Sequence, residues 1–167
     1  MFTAELTWVD TGTPGRLAII PAPGGGHRLR HAVLELRAAG VDLLVSLLPE
    51  AQAQDLELAA EAWTCQAAGL RFRQFPILDH ALPPPGPGTE AFLEGLAAEV
   101  AGGASVAIHC WAGIGRSGLV AAAVLCLLGV EAGEALRRLS EARGFPVPET
   151  DAQQAWVLEL ARRRAPR

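Results

Sequence analysis

The sequence predicts an α/β fold: one domain over residues 1–167, built on a central, mostly parallel twisted sheet of four to five strands with helices on both faces. Three observations predict it. Strand-like apolar runs alternate along the chain with segments of helical length, the order of units that builds a parallel sheet. Most of those runs are apolar almost throughout rather than at every second position, as strands buried on both faces are. At 167 residues and 50% hydrophobic residues, the chain has the length of one domain and the composition for a real core.

The elements follow in order. Arg16-Leu17-Ala18-Ile19-Ile20 is the first strand signal. Pro21 to Gly26 lacks the Lys-Ser/Thr that would follow a nucleotide-binding loop, so it reads as a turn before a helix near 28–39. His27 and His31 have helical spacing but no third ligand, so they read as a helix face. A strand over Val41 to Leu48 begins next to Asp42 and ends at Glu50, and a helix near 53–68 carries Asp55 and Glu57 as solvated positions. The third strand signal is Leu70 to Phe75, and the Pro83 to Gly88 run stiffens the chain before a helix near 89–101. Ser105 to His109 is the fourth strand signal, and Gly118 to Leu128 is an internal helix ended by Gly129. Helices near 131–142 and 151–163 complete the chain, with Thr150 as the cap of the last. Cys65 and Cys126 read as helix core positions.

Charge and composition exclude several classes of function. The net charge of −4 argues against a nucleic-acid binder, which carries a basic footprint. No leader-like segment opens the chain, and the apolar stretch around Leu119 to Leu128 is far short of the ~20 residues that span a bilayer. The expectation is a soluble, cytoplasmic, monomeric protein with no membrane and no nucleic acid among its partners. Three cysteines do not make a disulfide framework, and no Cys-x-x-Cys pair suggests a metal. No metal and no cofactor are expected. Arg162, Arg163 and Arg164 read as the last turn of a helix, where positive charge complements the helix dipole.

The chemistry concentrates in His109-Cys110-Trp111-Ala112-Gly113-Ile114-Gly115-Arg116-Ser117. A strand runs into it and a helix leaves it, so Cys110 sits on a strand-loop-helix turn. Backbone N–H groups in such a loop converge on one point, and the helix N-terminus adds partial positive charge, which together cradle a tetrahedral dianion. The glycines let the backbone turn tightly. Arg116 carries a planar fork of donors that holds two oxygens of such an anion at once. Cysteines in a field of this kind ionise readily to the thiolate, the nucleophilic form.

These residues resemble the signature of the cysteine-dependent protein tyrosine phosphatases: His-Cys, five residues, Arg, then Ser or Thr. The resemblance implies that Cys110 is the nucleophile that forms a phosphocysteine, that Arg116 binds phosphate, and that Ser117 stabilises the leaving thiolate. Residues Trp111, Ala112, Gly113, Ile114 and Gly115 would line the phosphate site. His109 resembles the histidine that supports the loop and tunes the thiol, and it equally fits a satisfied core residue. The reaction also needs a carboxylic acid from another loop to protonate the leaving group. Pro76-Ile77-Leu78-Asp79 resembles the acid loop of compact dual-specificity members of the kinase-associated phosphatase type, which implies Asp79, with Glu50 in reserve. His80 beside it either biases the acid or faces solvent. Thr150 to Val157 resembles the family's glutamine-bearing helix, with Gln153 rather than Gln154 as the residue that positions water. Some relatives protect the nucleophile through a neighbouring cysteine, and Cys65 and Cys126 are the two available.

The expected activity is hydrolysis of phosphotyrosine in a phosphorylated protein or peptide, with phosphoserine and phosphothreonine as further substrates. Relatives that act on phosphoinositides tend to carry lysines in the cysteine loop, where this chain has Trp111 and Ile114. A small-molecule phosphomonoesterase acting on inositol phosphates, and a catalytically silent phosphate-binding module, are the alternatives.

Overall fold

Alternate residues of the inner strands face opposite sides of one sheet, and both sides are dry. The computed structural model describes residues 5–166. Its five strands are β1 (Thr7–Val9), β2 (Arg16–Ile20), β3 (Leu43–Ser46), β4 (Arg71–Gln74) and β5 (Ser105–His109). Its seven α-helices are α1 (Leu29–Ala38), α2 (Glu50–Asp55), α3 (Glu61–Ala67), α4 (Pro87–Ala101), α5 (Gly115–Leu127), α6 (Ala132–Arg143) and α7 (Asp151–Arg164). The sheet order is β1-β2-β5-β3-β4, with β2, β5, β3 and β4 parallel and β1 antiparallel at the edge.

Leu17 and Ile19 of β2, Leu43 and Val45 of β3, and Val106 and Ile108 of β5 point into one apolar layer, which α4, α5, α6 and α7 close. Ala18, Ile20, Leu44 and Ala107 point into the other, closed by α1, α2 and α3. The period of two explains why the signals of the inner strands β2, β3 and β5 are nearly continuously apolar: both faces of the sheet are buried there. Helix α5 passes through the first layer with every residue from Gly115 to Leu125 buried, as its all-round apolar sequence requires.

The fold class is therefore as the sequence predicts, with three local corrections. Thr7–Val9 forms an edge strand that the sequence does not announce, because three residues carry no readable period; Arg16 lies 4.1 Å over the Trp8 ring beside it. The strand expected over Val41 to Leu48 is the shorter Leu43–Ser46, and Glu50 opens α2 instead of closing that strand. The single helix expected over 53–68 is two helices, and Glu57, expected as a helical position, has φ 56°. The glycine turn after β2 causes the break. Gly26 N–H donates to the Glu57 carbonyl at 2.9 Å, and Gly25 lies so close to the Leu56 carbonyl that any Cβ there would collide with it.

Candidate active site

The chain leaves β5 at His109, turns through 110–114, and enters α5 at Gly115. Helices α1, α2 and α3, which follow β2 and β3, pack on one face of the sheet, while α5, which follows β5, packs on the other. The C-terminal end of β5 is thus where the connections diverge, the place where open α/β sheets leave a crevice.

Three carbonyls of the turn are held from outside. Trp111 O accepts from Ala22 N–H at 3.0 Å, Ala112 O accepts from Arg143 Nη2 at 3.0 Å, and Gly113 O accepts from Arg143 Nε at 3.3 Å. Each peptide unit directs its N–H opposite to its C=O, so tying these carbonyls outward turns the next N–H groups away from those partners and into the turn. Gly113 has φ 72°, and a Cβ there would lie 2.5 Å from the Ile20 and Pro21 backbone, so only glycine fits. Of the other residues expected to line the site, Trp111 is 43% exposed, Ala112 is exposed, Ile114 packs against the core, and Gly115 begins α5.

Cys110 is 3% exposed, and its Sγ lies 3.4 Å from the Oγ of buried Ser117 in the first turn of α5. A hydroxyl at that distance can donate to a thiolate. The other two cysteines differ. Burial, helped by nearby acidic groups, pushes the Cys65 thiol up to about 12 and the Cys126 thiol up to about 11, so both remain protonated thiols at neutral pH. All three cysteines are free. Cys65 belongs to the apolar layer on the opposite side of the sheet from Cys110. Cys126 lies near the far end of α5, about 16 Å along the axis from Gly115 at 1.5 Å per residue. Neither is placed to bridge Cys110, which needs Cα atoms within about 7 Å.

Arg116, beside Ser117 in the first turn of α5, is 2% exposed. Its Nη1 donates to Gln52 Oε1 at 2.7 Å and to Ile77 O at 2.9 Å, and its Nη2 lies 3.2 Å from Asp79 Oδ1. The loop after β4 therefore delivers the Asp79 carboxylate, half-exposed, to the guanidinium beside the turn. Glu50 takes no part in this, because its carboxylate accepts the Gln54 side-chain amide one helical turn on. The residue α2 supplies is Gln52.

His109 is completely buried. Its Nδ1 donates to the Cys110 carbonyl at 3.0 Å, and its Nε2 lies 2.7 Å from Oε1 of Glu61, itself 3% exposed. The two readings of His109 thus coincide: it is a satisfied core histidine, and what it satisfies is the backbone of the cysteine turn. Gln153 is buried as well. Its Oε1 accepts from the N–H groups of Glu149 at 3.2 Å and Thr150 at 3.1 Å, the second completing a capping box. Its Nε2 has no hydrogen-bond partner, and a Cβ built on Gly115 would lie 3.3 Å from it. A buried amide N–H without a partner is uncommon, and this one lies beside the first residue of α5. Gln154 points elsewhere, to the Pro148 carbonyl at 3.4 Å.

Four residues of this arrangement escape a reading of the sequence: Glu61, Gln52, Arg143 and Glu149. Each is a polar residue in a helix or loop with no local signal, and only the packing of distant segments brings it here. Among the described residues no group of three His, Cys, Asp or Glu is placed to hold a metal ion, and no helix is long and apolar enough to cross a membrane.

The chain matches the family model of the Swiss Army Knife protein DSP-PTPase phosphatase domain over residues 4–165. No curated protein matches it in sequence. Among solved structures it is similar to a kinase associated phosphatase bearing serine in place of its catalytic-site cysteine, with a TM-score of 0.87, 20% identity, and coverage of 98% of this chain and 97% of that one. It is similar to Tk-PTP in its active form, with a TM-score of 0.73, 27% identity, and coverage of 99% and 100%. A protein tyrosine phosphatase (putative) from Leishmania major gives a TM-score of 0.73 at 22% identity, covering 98% and 99%. With a family match over nearly its whole length, and a glycine-bearing turn that carries a buried cysteine and leads into a buried arginine, the chain belongs to the DSP-PTPase domain family, the dual-specificity-like part of the cysteine-dependent protein tyrosine phosphatases.

Proposed function

We propose that this phosphatase hydrolyses aryl phosphomonoesters, phosphotyrosine in proteins or peptides first among them, in two steps through a phosphocysteine on Cys110. The observation that carries the proposal is the single guanidinium of Arg116, which joins the turn around Cys110 to the Asp79 carboxylate 3.2 Å away. The candidate phosphate binder, six residues after the candidate nucleophile, thereby pairs with the candidate acid.

In the first step the Cys110 thiolate attacks phosphorus and the bond from phosphorus to the phenolic oxygen breaks. The turn N–H groups and Arg116 hold the three remaining oxygens, and protonated Asp79 gives its proton to the departing phenoxide. The incoming dianion competes for the Arg116 Nη2 that Asp79 occupies in the free protein, which releases the carboxyl toward the leaving group. In the second step a water held by Gln153 Nε2 attacks phosphorus and loses a proton to Asp79, and the S–P bond breaks. The Ser117 hydroxyl, 3.4 Å from Sγ, stabilises the thiolate that leaves. No metal has a role in this sequence.

The rim favours a flat, uncharged leaving group. Trp111 of the turn is 43% exposed, Leu78 beside Asp79 is 70% exposed, and Phe145, which lies 5.1 Å from the Arg143 guanidinium, is 40% exposed. The chain has no lysine to meet additional phosphates. A second reading comes from PTPMT1 in complex with PI(5)P, similar in fold with a TM-score of 0.65 at 19% identity and coverage of 88% and 90%. The test is a panel at equal concentration with EDTA present: phosphotyrosine, phosphoserine and phosphothreonine peptides, an inositol phosphate and PI(5)P. Phosphotyrosine turnover by the wild type and none by Cys110→Ser is the expected result. Preference for PI(5)P or the inositol phosphate favours the second reading. No turnover by folded wild type leaves a phosphate-binding module.

A further inference from the structure

His80 holds an unusual place beside the acid. With Glu57 it is one of two non-glycine residues in the described chain with positive φ, here 57°. A residue with a Cβ stays in that region only where its surroundings hold it there. A turn closed by the Ala81 N–H donating to the Leu78 carbonyl at 3.0 Å holds it there, and two carboxylates from different loops face it. Its own N–H donates to Asp79 Oδ1 at 3.0 Å, its Nε2 lies 3.7 Å from Asp79 Oδ2, and its Nδ1 lies 3.5 Å from Glu149 Oε2. Glu149 is fixed in turn. Its N–H donates to Gln153 Oε1 at 3.2 Å, and its Oε2 lies against Gly115, where a Cβ would come within 3.0 Å of it.

We infer that His80 and Glu149 are positioning residues that latch the Asp79 loop to the loop before α7 and hold the acid over Cys110 once substrate is bound. The inference rests on Asp79 being the general acid. In the free protein Asp79 has its firm anchor on Arg116, 3.2 Å away. A phosphate dianion takes that Nη2 for itself, and the ties left to Asp79 are the His80 N–H and the imidazole bridge to Glu149. The latch therefore acts after binding. It also links the loop that supplies the proton in the first step to the segment that carries Gln153, so one closure serves both steps.

The test compares wild type with Asp79→Asn, His80→Gly, Glu149→Ala, Glu149→Gln and the His80→Gly/Glu149→Ala double variant on aryl phosphates of graded leaving-group ability, with thermal unfolding in parallel. Glycine at position 80 keeps the backbone conformation and the N–H while removing the ring. His80→Gly and Glu149→Ala should each lower kcat on the order of tenfold for phenyl phosphate, since small misplacement of a catalytic group costs that much or more. KM should stay within about twofold and activated aryl phosphates should be little affected, because the lost interaction acts only in the transition state. Glu149→Gln should recover much of the loss, and the double variant should be no slower than either single one. Wild-type kcat for His80→Gly on phenyl phosphate, beside a leaving-group-dependent loss in Asp79→Asn, overturns the latch and keeps Asp79 as the acid. Additive losses in the double variant also overturn it. An Asp79→Asn loss independent of leaving group overturns the assignment of the acid and the latch with it.

Discussion

Glu61 supports the cysteine turn from 48 residues away, and removing it should cost both stability and turnover. The His109 side chain is 0% exposed and that of Glu61 is 4%, and 2.7 Å between Nε2 and Oε1 is the length of a charge-assisted hydrogen bond. Glu61→Ala leaves the enclosed Nε2 facing an apolar void. An unsatisfied neutral buried group costs about 1–3 kcal/mol, and a buried pair broken on one side about 3–5 kcal/mol. The two ranges meet near 3 kcal/mol, the value taken here. A domain of this size loses about 2–4 °C per kcal/mol, so Tm should fall by about 6–12 °C. The assay is urea unfolding of Glu61→Ala, Glu61→Gln, His109→Ala and the Glu61→Ala/His109→Ala pair, with kcat/KM on an aryl phosphate for each. Glutamine keeps an acceptor on the ring and should lose only about 1 kcal/mol. The double variant should show a coupling of about 1–3 kcal/mol, because the two residues act as one unit. Loss of the ring's tie frees the Cys110 carbonyl, so kcat/KM should fall at least tenfold, on the order that small displacements in a site produce. Glu61→Ala within about 0.5 kcal/mol of wild type, with additive effects in the cycle, refutes the support role.

Two other expectations come from the same geometry. Iodoacetamide at pH 8, read by peptide mass spectrometry, should modify Cys110 and spare the other two: with thiols raised to about 12 and about 11, Cys65 and Cys126 gain thiolate only as pH climbs toward those values. Inorganic phosphate should protect Cys110, and labelling of Cys65 or Cys126 in the native protein contradicts the burial argument. Arg143→Ala removes both bonds to the turn carbonyls, 3.0 and 3.3 Å, and should weaken inorganic phosphate binding by calorimetry on the order of tenfold, the low end of what one charge-assisted bond contributes. Arg143→Lys should recover little, because one ammonium cannot match the planar fork; unchanged affinity in both variants removes Arg143 from the site.

The legible parts of this molecule are the local ones. β2 and β5 match their sequence signals residue for residue, since a strand buried on both faces writes its whole length in apolar side chains. The cysteine turn is legible because strand, turn and helix start are contiguous, and the Asp79 segment is singled out only by its resemblance to the family's acid loop. The break between α2 and α3 is not, because the surface that forces it is Gly25, some thirty residues upstream against Leu56. Helical periodicity runs through such a break without a mark. Glu61, Gln52 and Arg143 read as ordinary helix polar residues, and their burial or aim toward the turn exists only once α2, α3 and α6 have packed around the end of β5. The resemblance to the family's glutamine-bearing helix favours Gln153 over Gln154, yet its unpaired buried amide exists only once α7 has packed beside the start of α5.

The most direct measurement of the central claim is rapid acid quench of the wild type mixed with an aryl phosphate, followed by mass spectrometry of the peptide that contains Cys110. A phosphocysteine pathway gives a transient gain of one phosphoryl mass on Cys110, longer lived in Gln153→Ala and absent in Cys110→Ser. Burst-free turnover with the Cys110 peptide unmodified at every time point, or undiminished turnover by Cys110→Ser, contradicts it.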